Sequence, residues 1–253
     1  MILKAKKKLG QHFLINDDIA KSIVESITCL EKLNIVEVGP GEGALTKFLI
    51  KKSDCIKLVE IDKDAVELLR YKFPKTEIIN EDFLEFKFYD RNLYKYIVVG
   101  NFPYNISTQI LFKVLENRNM VNELIGMFQK EVAERICSPP NSKKYGIPSV
   151  LLQAFYNCEL LFDVQPENFR PAPKVNSTVI KLTRNNTDNL DCDYNKFLFV
   201  VKSSFSHRRK KLKNSLKNFA NLNECNITNF ANKRAEELSV NDFIKLTKAI
   251  TLK

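Results

Sequence analysis

The sequence predicts an α/β protein whose functional residues lie where parallel strands end. Runs of β-type residues alternate with helical patterns, and several strand runs end in glycine or an acidic residue. Open α/β sheets bind their ligands in the crevice at the carboxyl ends of the strands. With 253 residues, 44% of them apolar, the chain can bury a substantial core, which excludes wholesale disorder.

Composition narrows the class of partner and the compartment. The net charge of +10 is compatible with a lysine-rich protein or with one that binds a polyanion. No apolar run approaches the roughly 20 residues that cross a bilayer, so we expect no membrane association. The cysteines stand singly, and His12 lies far from His207, so we expect free thiols, a cytoplasmic location and no metal site. The cysteines are Cys29, Cys55, Cys137, Cys158, Cys192 and Cys225.

The strongest functional signal is the abrupt end of the β-type run 96–99. A glycine and then Pro103 force the chain to turn sharply there, and Asn101 and Tyr104 occupy the turn. The Asn101 side-chain carbonyl, the Pro103 backbone carbonyl and the Tyr104 ring together suit a planar amine. The sequence therefore predicts that this turn grips the amine of a substrate.

Three upstream strand ends predict an adenosine-containing ligand. Gly39 and Gly41 lie in a turn between a strand and a helix, where the backbone can approach a ligand closely. Glu60 ends the next strand, where a carboxylate can accept both ribose hydroxyls. Asp82 follows the third strand and either caps a turn or accepts an adenine amine, with Phe83 packing the ring. No phosphate-binding lysine accompanies them, so S-adenosylmethionine is the cofactor expected.

The remaining elements of the first part of the chain follow from periodicity. The basic segment 4–16 is either a frayed tail or a docked segment, and Gly10 followed by alternating polar and apolar residues favours docking. Asn16 then caps an amphipathic helix. The other predicted elements are helices 63–72, 106–118, 129–137 and 151–156, and strands 57–62, 77–79, 124–128, 159–165 and 178–183.

A change in residue composition and periodicity near residue 185 predicts a second domain. A polar, linker-like run at 185–189 precedes helical patterns, and a last short helix is expected from about Ser239. We therefore expect a cofactor-binding domain over 1–184 and a helical domain over 185–253. The residues expected to face the core of the second domain are Phe199, Val200, Phe205, Leu212 and Leu216.

The densest basic cluster spans 207–213. It is either a solvated helix face or a nucleic-acid surface, and five positive charges in seven residues favour the second interpretation. The candidate RNA-binding residues are Arg208, Arg209, Lys210 and Lys211.

The segment 169–177 contains two prolines separated by a single residue, which stiffen it in an extended form. Phe169, at its start, faces the core or serves as a stacking platform.

Five segments in order resemble the rRNA adenine N6,N6-dimethyltransferase family, and most closely its bacterial small-subunit branch, associated with kasugamycin sensitivity. They are Gly10–Leu14, Glu37–Gly43, Asn101–Ser107, Gln129–Arg135 and Phe169–Ser177. The resemblance implies a seven-stranded, Rossmann-like class I methyltransferase with a small all-α C-terminal domain that binds rRNA. It also implies S-adenosylmethionine as methyl donor, and N6,N6-dimethylation of two adjacent adenosines in the 3′-terminal hairpin loop of 16S rRNA. The implied partner is the immature small subunit, bound by a monomer.

The resemblance also assigns roles to individual residues. The residues implied to line the cofactor are His12, Leu14, Gly39, Gly41, Glu60, Asp82 and Asn101. Asn101 and Pro103 are implied to hold the target amine, while Tyr104 and Phe169 stack on the base. Two departures from the family pattern are conservative: His12 replaces the more usual Asn, and Phe102 replaces Leu.

Two other functions stay open at this point. A 23S rRNA adenine N6-methyltransferase that confers macrolide resistance shares these motifs, although the 169–177 and 205–216 segments favour the small-subunit enzyme. A non-catalytic ribosome-assembly or transcription factor is disfavoured by the intact turn at Asn101–Tyr104. The Asp-Pro-Pro-Tyr motif typical of DNA adenine methylases is absent.

Overall fold

A computed structural model of the protein describes residues 3–28, 33–89, 95–219 and 228–251. Cys29 and Cys225 lie outside these ranges, and among the described cysteines Cys55 and Cys192 are free thiols. No helix within the described ranges is long and apolar enough to span a membrane. The same ranges contain no group of three or more His, Cys, Asp or Glu residues arranged to hold a metal ion.

The chain divides into two compact units. The first comprises Met1–Ala133 and Glu159–Arg184, and the second comprises Glu134–Cys158 and Asn185–Lys253. One junction therefore coincides with the predicted boundary at 184/185, whereas residues 134–158 group with the C-terminal part of the chain. The reason is visible in the hydrogen bonds, because Arg208 donates to the backbone carbonyls of Lys143 and Tyr145.

The first unit contains a seven-stranded sheet in the order β4-β3-β2-β5-β6-β9-β7. The pairs β3–β4, β2–β3, β2–β5 and β5–β6 are parallel, and β9 runs antiparallel to β6. Its strands are β2 (Leu33–Val38), β3 (Ile56–Val59), β4 (Glu77–Ile79), β5 (Lys95–Asn101), β6 (Val121–Gln129), β7 (Tyr156–Val164) and β9 (Ser177–Arg184). A separate antiparallel pair joins β1 (Phe13–Leu14) to β8 (Phe169–Arg170).

Helices connect these strands. They are α1 (Asp17–Glu25), α2 (Thr46–Leu49), α3 (Lys63–Lys72), α4 (Ser107–Glu116) and α5 (Lys130–Cys137), and the chain passes from the first unit to the second within α5. Asn16 caps α1 as predicted, since its Oδ1 accepts from the backbone N–H groups of Asp18 and Ile19. The predicted strand 57–62 ends earlier, at Val59, which places Glu60 beyond the regular ladder.

The central strand β5 positions the turn at Asn101–Tyr104. Its residues Ile97, Val98 and Val99 are fully buried between β2 and β6. Phe102 then folds back over Gly126 of β6, where a Cβ would lie 2.4 Å from the Phe102 ring. A side chain at position 126 would thus displace Phe102 and move the turn, which explains why glycine stands there.

The described residues of the second unit are mainly helical, with the first residues of β7 and an isolated antiparallel bridge between Lys211 and Arg234. Its helices are α6 (Ile147–Gln153), α7 (Tyr194–Phe205), α8 (Leu212–Ser215), α9 (Thr228–Ala231) and α10 (Val240–Ala249). The predicted helix 151–156 begins and ends earlier, with Pro148 in its first turn, and Tyr156 belongs to β7. Val200, Leu212 and Leu216 are buried as predicted, whereas Phe199 is 38% exposed and does not face the core.

A buried ion pair holds α1 against the sheet of the first unit. Lys181 Nζ lies 2.9 Å from Glu123 Oε1, and the two side chains are 10% and 2% exposed. Lys181 also donates to the carbonyl of Ser26 just after α1, and Thr28 Oγ1 donates to Glu123. Every charged group in this cluster has a partner, which burial requires.

Lys181→Ala is expected to destabilise the protein by roughly 3–5 kcal/mol, because it leaves the Glu123 carboxylate buried without a counter-charge. Urea unfolding followed by circular dichroism measures the change. The exposed pair Lys57–Glu77, with side chains 32% and 55% exposed, provides the control. Lys57→Ala should cost about 1 kcal/mol or less, and an equal loss in both variants would contradict the role assigned to the buried pair.

Candidate active site

A cleft of about 240 Å³ lies at the carboxyl ends of β2, β3 and β5. Its lining includes nine of the ten residues that the sequence assigned to the cofactor and the target amine. These are His12, Leu14, Gly39, Gly41, Glu60, Asp82, Asn101, Pro103 and Tyr104. The tenth, Phe169, is not among the lining residues.

Glu60 connects the glycine-rich turn to the strand beside it. Its Oε2 accepts from the Gly41 backbone N–H at 3.0 Å, and its Oε1 accepts from the Asp62 N–H at 2.9 Å. Burial raises the pKa of Glu60, and these two hydrogen bonds oppose the rise. Each carboxylate oxygen has a further lone pair, so Glu60 can still accept hydrogen bonds from the hydroxyl groups of a ligand.

Asp82 both caps a turn and lines the cleft, so the two interpretations of this residue are compatible. Its Oδ1 accepts from the Leu84 backbone N–H at 2.9 Å. Lys113 of α4 donates to the Leu84 carbonyl at 2.6 Å and so holds the same turn. The second Asp82 oxygen has no bonded partner among the described residues and remains an acceptor.

The Asn101 side-chain amide is oriented by the N-terminal segment. Its Nδ2 donates to the His12 backbone carbonyl at 2.6 Å, which leaves Oδ1 as an acceptor in the lining of the cleft. The His12 ring stacks on the Tyr104 ring, with centroids 5.4 Å apart and an interplanar angle of 28°. His12 Nδ1 donates to the Pro171 carbonyl at 2.6 Å.

Tyr104 is anchored at its hydroxyl. The oxygen lies 2.5 Å from the Oγ of Ser177, a fully buried residue at the start of β9. Burial raises the pKa of the Tyr104 phenol, and the Ser177 hydrogen bond opposes the rise. Ser177 therefore sets the direction of the Tyr104 ring, a role that local sequence patterns did not predict.

The N-terminal segment is docked, as the sequence favoured. Lys6 Nζ and Gln11 Nε2 donate to the two oxygens of Asp62, at 2.5 and 2.8 Å. Burial of Asp62 raises its pKa, but the hydrogen bonds from Lys6 and Gln11 outweigh that effect and the pKa is lowered. Phe13 covers Gly41, where a Cβ would lie 2.9 Å from the Phe13 ring.

The sequence assigned no role in the site to Gln11, which lines the cleft, or to Asp62, which accepts a hydrogen bond from Gln11. Gln11 belongs to the first of the motifs that carry the family resemblance, and that was the available signal. The sequence position of Asp62 suggests only a helix cap. The residue does cap α3, because its Oδ1 accepts from the Asp64 backbone N–H at 3.1 Å.

Phe169 lies in the core in this structure. It is 3% exposed, and its backbone pairs with Leu14 across β1 and β8. Of the two interpretations of Phe169, the core-facing one describes this arrangement. Its role as a second stacking ring stays a prediction.

Glu37 is a buried carboxyl group in the lining, and the sequence assigned it no role beyond its place in a strand and in the segment Glu37–Gly43. It is 1% exposed, and Thr46 Oγ1 donates to its Oε2 at 2.6 Å. Burial raises the pKa of Glu37 to about 8, and the hydrogen bond from Thr46 only partly offsets this. The group therefore carries a proton at neutral pH when the cleft is empty.

The basic cluster belongs to the second unit, and its members differ. Arg208 Nε donates to Glu236 at 2.8 Å, and its Nη2 donates to backbone carbonyls of the 142–145 loop, so its guanidinium is used inside that unit. Arg209, Lys210 and Lys211 are exposed and form no ion pair with a described residue. The structure thus separates one structural arginine from three cations that are available to a partner.

The pKa of Glu37 predicts a pH dependence of stability. Because the pKa is raised on folding, ionisation favours the unfolded chain as the pH rises from about 5 to about 8. The unfolding free energy of the wild type should therefore fall relative to that of Glu37→Gln, by up to about 1.4 kcal/mol per pH unit.

Urea unfolding of both proteins between pH 5 and 8.5 measures this difference. Glu77→Gln, at an exposed carboxylate, is the matched control and should follow the wild type. Parallel curves for the wild type and Glu37→Gln would show that Glu37 is ionised throughout.

Comparison with known proteins identifies the family. A family model described as ribosomal RNA adenine dimethylase matches residues 2–252. The ribosomal RNA small subunit methyltransferase A of Cytophaga hutchinsonii is 48% identical, with 98% of each chain covered. The protein of the same name from Bacteroides thetaiotaomicron is 47% identical, covering 98% of this chain and 95% of that protein.

Two solved structures share the fold. A dimethyladenosine transferase from Plasmodium falciparum matches with a TM-score of 0.77 at 23% identity, covering 93% of this chain and 96% of that one. The 23S rRNA methyltransferase ErmE matches with a TM-score of 0.76 at 22% identity, covering 93% and 98%. At these identities the similarity concerns the fold alone, and it confirms the predicted class. With the family model and the curated relatives, it shows that the chain belongs to the ribosomal RNA adenine dimethylase family.

Proposed function

We propose that this protein transfers methyl groups from S-adenosylmethionine to N6 of two adjacent adenosines in the 3′-terminal hairpin loop of 16S rRNA. The observation that carries the proposal is the oriented amide of Asn101. Its nitrogen donates one hydrogen to the His12 carbonyl, and this bond fixes the orientation of the amide, so that its oxygen is an acceptor in the lining of the cleft. An acceptor that cannot donate selects a donor, and the adenine amine is one.

The donor groups of the cleft fit an adenosine-containing cofactor without phosphates. Glu60 has lone pairs left for the ribose hydroxyls, and Asp82 has one free oxygen for the adenine amine. The backbone of Gly39 and Gly41 lets the ligand approach closely. S-adenosylmethionine supplies an electrophilic methyl carbon on a sulfonium. A cation beside Glu37 favours ionisation of this carboxyl group, which is protonated in the empty cleft.

The target base is held by the turn after β5. Asn101 Oδ1 and the Pro103 carbonyl accept the two N–H bonds of the adenine amine, and Tyr104 stacks on the extruded base. These contacts direct the nitrogen lone pair, which is otherwise delocalised into the ring, toward the methyl donor. Most of the rate then comes from proximity and orientation. No strong base is needed, since the nitrogen is cationic after attack and releases its proton to water.

The second methylation uses the same two acceptor positions, with one hydrogen bond fewer. After the first transfer the amine has a single N–H, so only one of the two acceptors is engaged and the other faces a methyl group. The Pro103 carbonyl already accepts from the Ile106 N–H at 3.2 Å, so it remains satisfied without the substrate. Asn101 Oδ1 is therefore the acceptor that retains the remaining N–H.

The choice of 16S rRNA rests on the curated relatives, which are named for the small subunit. The exposed side chains of Arg209, Lys210 and Lys211 supply a cationic surface for the phosphates of that RNA. The partner is the immature small ribosomal subunit, met by a monomeric enzyme in the cytoplasm.

Labelled methyl transfer tests the proposal directly. Undermethylated small subunits should accept label at both adjacent adenosines, each as dimethyladenosine in mass spectra of the 3′-terminal RNA fragment. Undermethylated large subunits should accept none. Labelling of the large subunit would favour a 23S enzyme, and labelling of neither would indicate a binding factor.

Asn101→Ala is expected to slow methyl transfer on the order of 100-fold, because the amine loses the acceptor that orients it. Single-turnover transfer to small subunits measures the rate, and calorimetry with S-adenosylhomocysteine measures cofactor binding. Asn119→Ala, at an exposed asparagine, should match the wild type. A near-normal rate for Asn101→Ala with intact cofactor binding would refute the assigned role.

Ser177 and Tyr104 should behave as one unit. Ser177→Ala and Tyr104→Phe each remove the hydrogen bond that directs the Tyr104 ring, so each should lower kcat roughly 10-fold without changing cofactor affinity. The double variant should be no slower than either single one. Independent, multiplying effects in this double-mutant cycle would show that the bond does not position the ring.

A further inference from the structure

Two exposed phenylalanine rings contact each other on the second unit. Phe199 of α7 is 38% exposed, and Phe219, just beyond α8, is 40% exposed. Their ring centroids lie 5.2 Å apart at an interplanar angle of 90°. In such an edge-to-face pair, the ring that presents its edge keeps both of its faces free of its partner.

The exposure of Phe199 is not a failure of packing. The adjacent Phe197 and Val200 on α7 are fully buried, so the helix has its core face elsewhere. Neither the cofactor cleft nor the grip on the target amine involves this pair. The two rings therefore form a partly exposed apolar patch outside the site already described.

Exposed lysines lie near both phenylalanines in the sequence. Lys202 follows Phe199 by three residues on α7 and so shares its face, while Lys213 and Lys217 belong to the α8 segment that leads to Phe219. All three are exposed, and none forms an ion pair with a carboxylate of the described residues. The exposed cation Arg209 follows the end of α7 by four residues.

We propose that Phe199 and Phe219 form a stacking site for an unpaired nucleobase of single-stranded RNA, whose flanking phosphates bind Lys202, Lys213, Lys217 and Arg209. This inference rests on the proposed function insofar as that function supplies an RNA partner. Aromatic rings interleaved with cations are the arrangement that binds single strands. The exposed area of two rings is far below the roughly 800 Å² per partner that a stable protein interface buries, which disfavours a second copy of the chain.

Binding to a fluorescein-labelled, mixed-sequence single-stranded RNA of twelve nucleotides tests the site by fluorescence anisotropy. Phe199→Leu and Phe219→Leu keep an apolar side chain but remove the stacking face, and each should raise Kd about tenfold. Phe199→Tyr keeps the face and should bind like the wild type. The dependence of log Kd on log salt concentration should be unchanged in all three, because no charge is removed.

Two controls separate stacking from other causes. Arg209→Ala should weaken binding and lower the salt slope by about one, and Leu160→Ala, at a 49% exposed apolar residue of the first unit, should do neither. Wild-type affinity in both leucine variants, or no measurable binding of the RNA by the wild type, would overturn the proposal. Weakened binding in Phe199→Tyr as well would overturn the stacking role.

Failure of the proposed function remains distinguishable from failure of this site. Loss of RNA affinity in the leucine variants supports the site whether or not the wild type methylates small subunits. Methyl transfer with unchanged RNA affinity in both leucine variants supports the function and refutes the site.

Discussion

The hydrogen bond from Asn101 Nδ2 to the His12 carbonyl is the interaction on which the site depends. It joins the end of the central strand to a segment 89 residues earlier and fixes the orientation of the amide, whose oxygen is an acceptor in the lining of the cleft. The same contact brings the His12 ring onto Tyr104 and so steadies the stacking face. One short bond thus sets both the acceptor and the aromatic wall of the proposed amine site.

Two carboxyl groups that line the cleft, Glu37 and Glu60, and a third beside it, Asp62, have different electrostatic environments. Burial keeps Glu37 protonated, ammonium and amide donors keep Asp62 ionised, and Glu60 lies between these cases with two backbone N–H partners. A cationic cofactor adds positive charge beside Glu37 and favours its ionised form. The cleft can therefore accept a cation without carrying several uncompensated charges when it is empty, which would otherwise destabilise the fold.

The second unit divides its basic residues between structure and binding. Arg208 holds the 142–145 loop and Glu236, which explains why residues 134–158 group with the C-terminal helices. Its neighbour Arg209 forms no ion pair with a carboxylate of the described residues, so its guanidinium is available to a partner. Some side chains of a basic cluster thus stabilise the fold rather than bind a partner. The number of charges in the sequence does not show which side chains do so.

The sequence by itself determined the strand–turn–helix order, the edge of the sheet that carries the site, and the cleft positions of Glu60, Asp82 and Asn101. Those follow from local periodicity and from the rule that parallel strands end together. Only the tertiary structure decided that Ser177 directs Tyr104 from 73 residues away, and that Phe199 faces water. Such contacts join segments whose local patterns are independent. Periodicity shows that a helix has a buried face but not where that face ends. The Ser177–Tyr104 contact and the exposure of Phe199 therefore depend on tertiary packing.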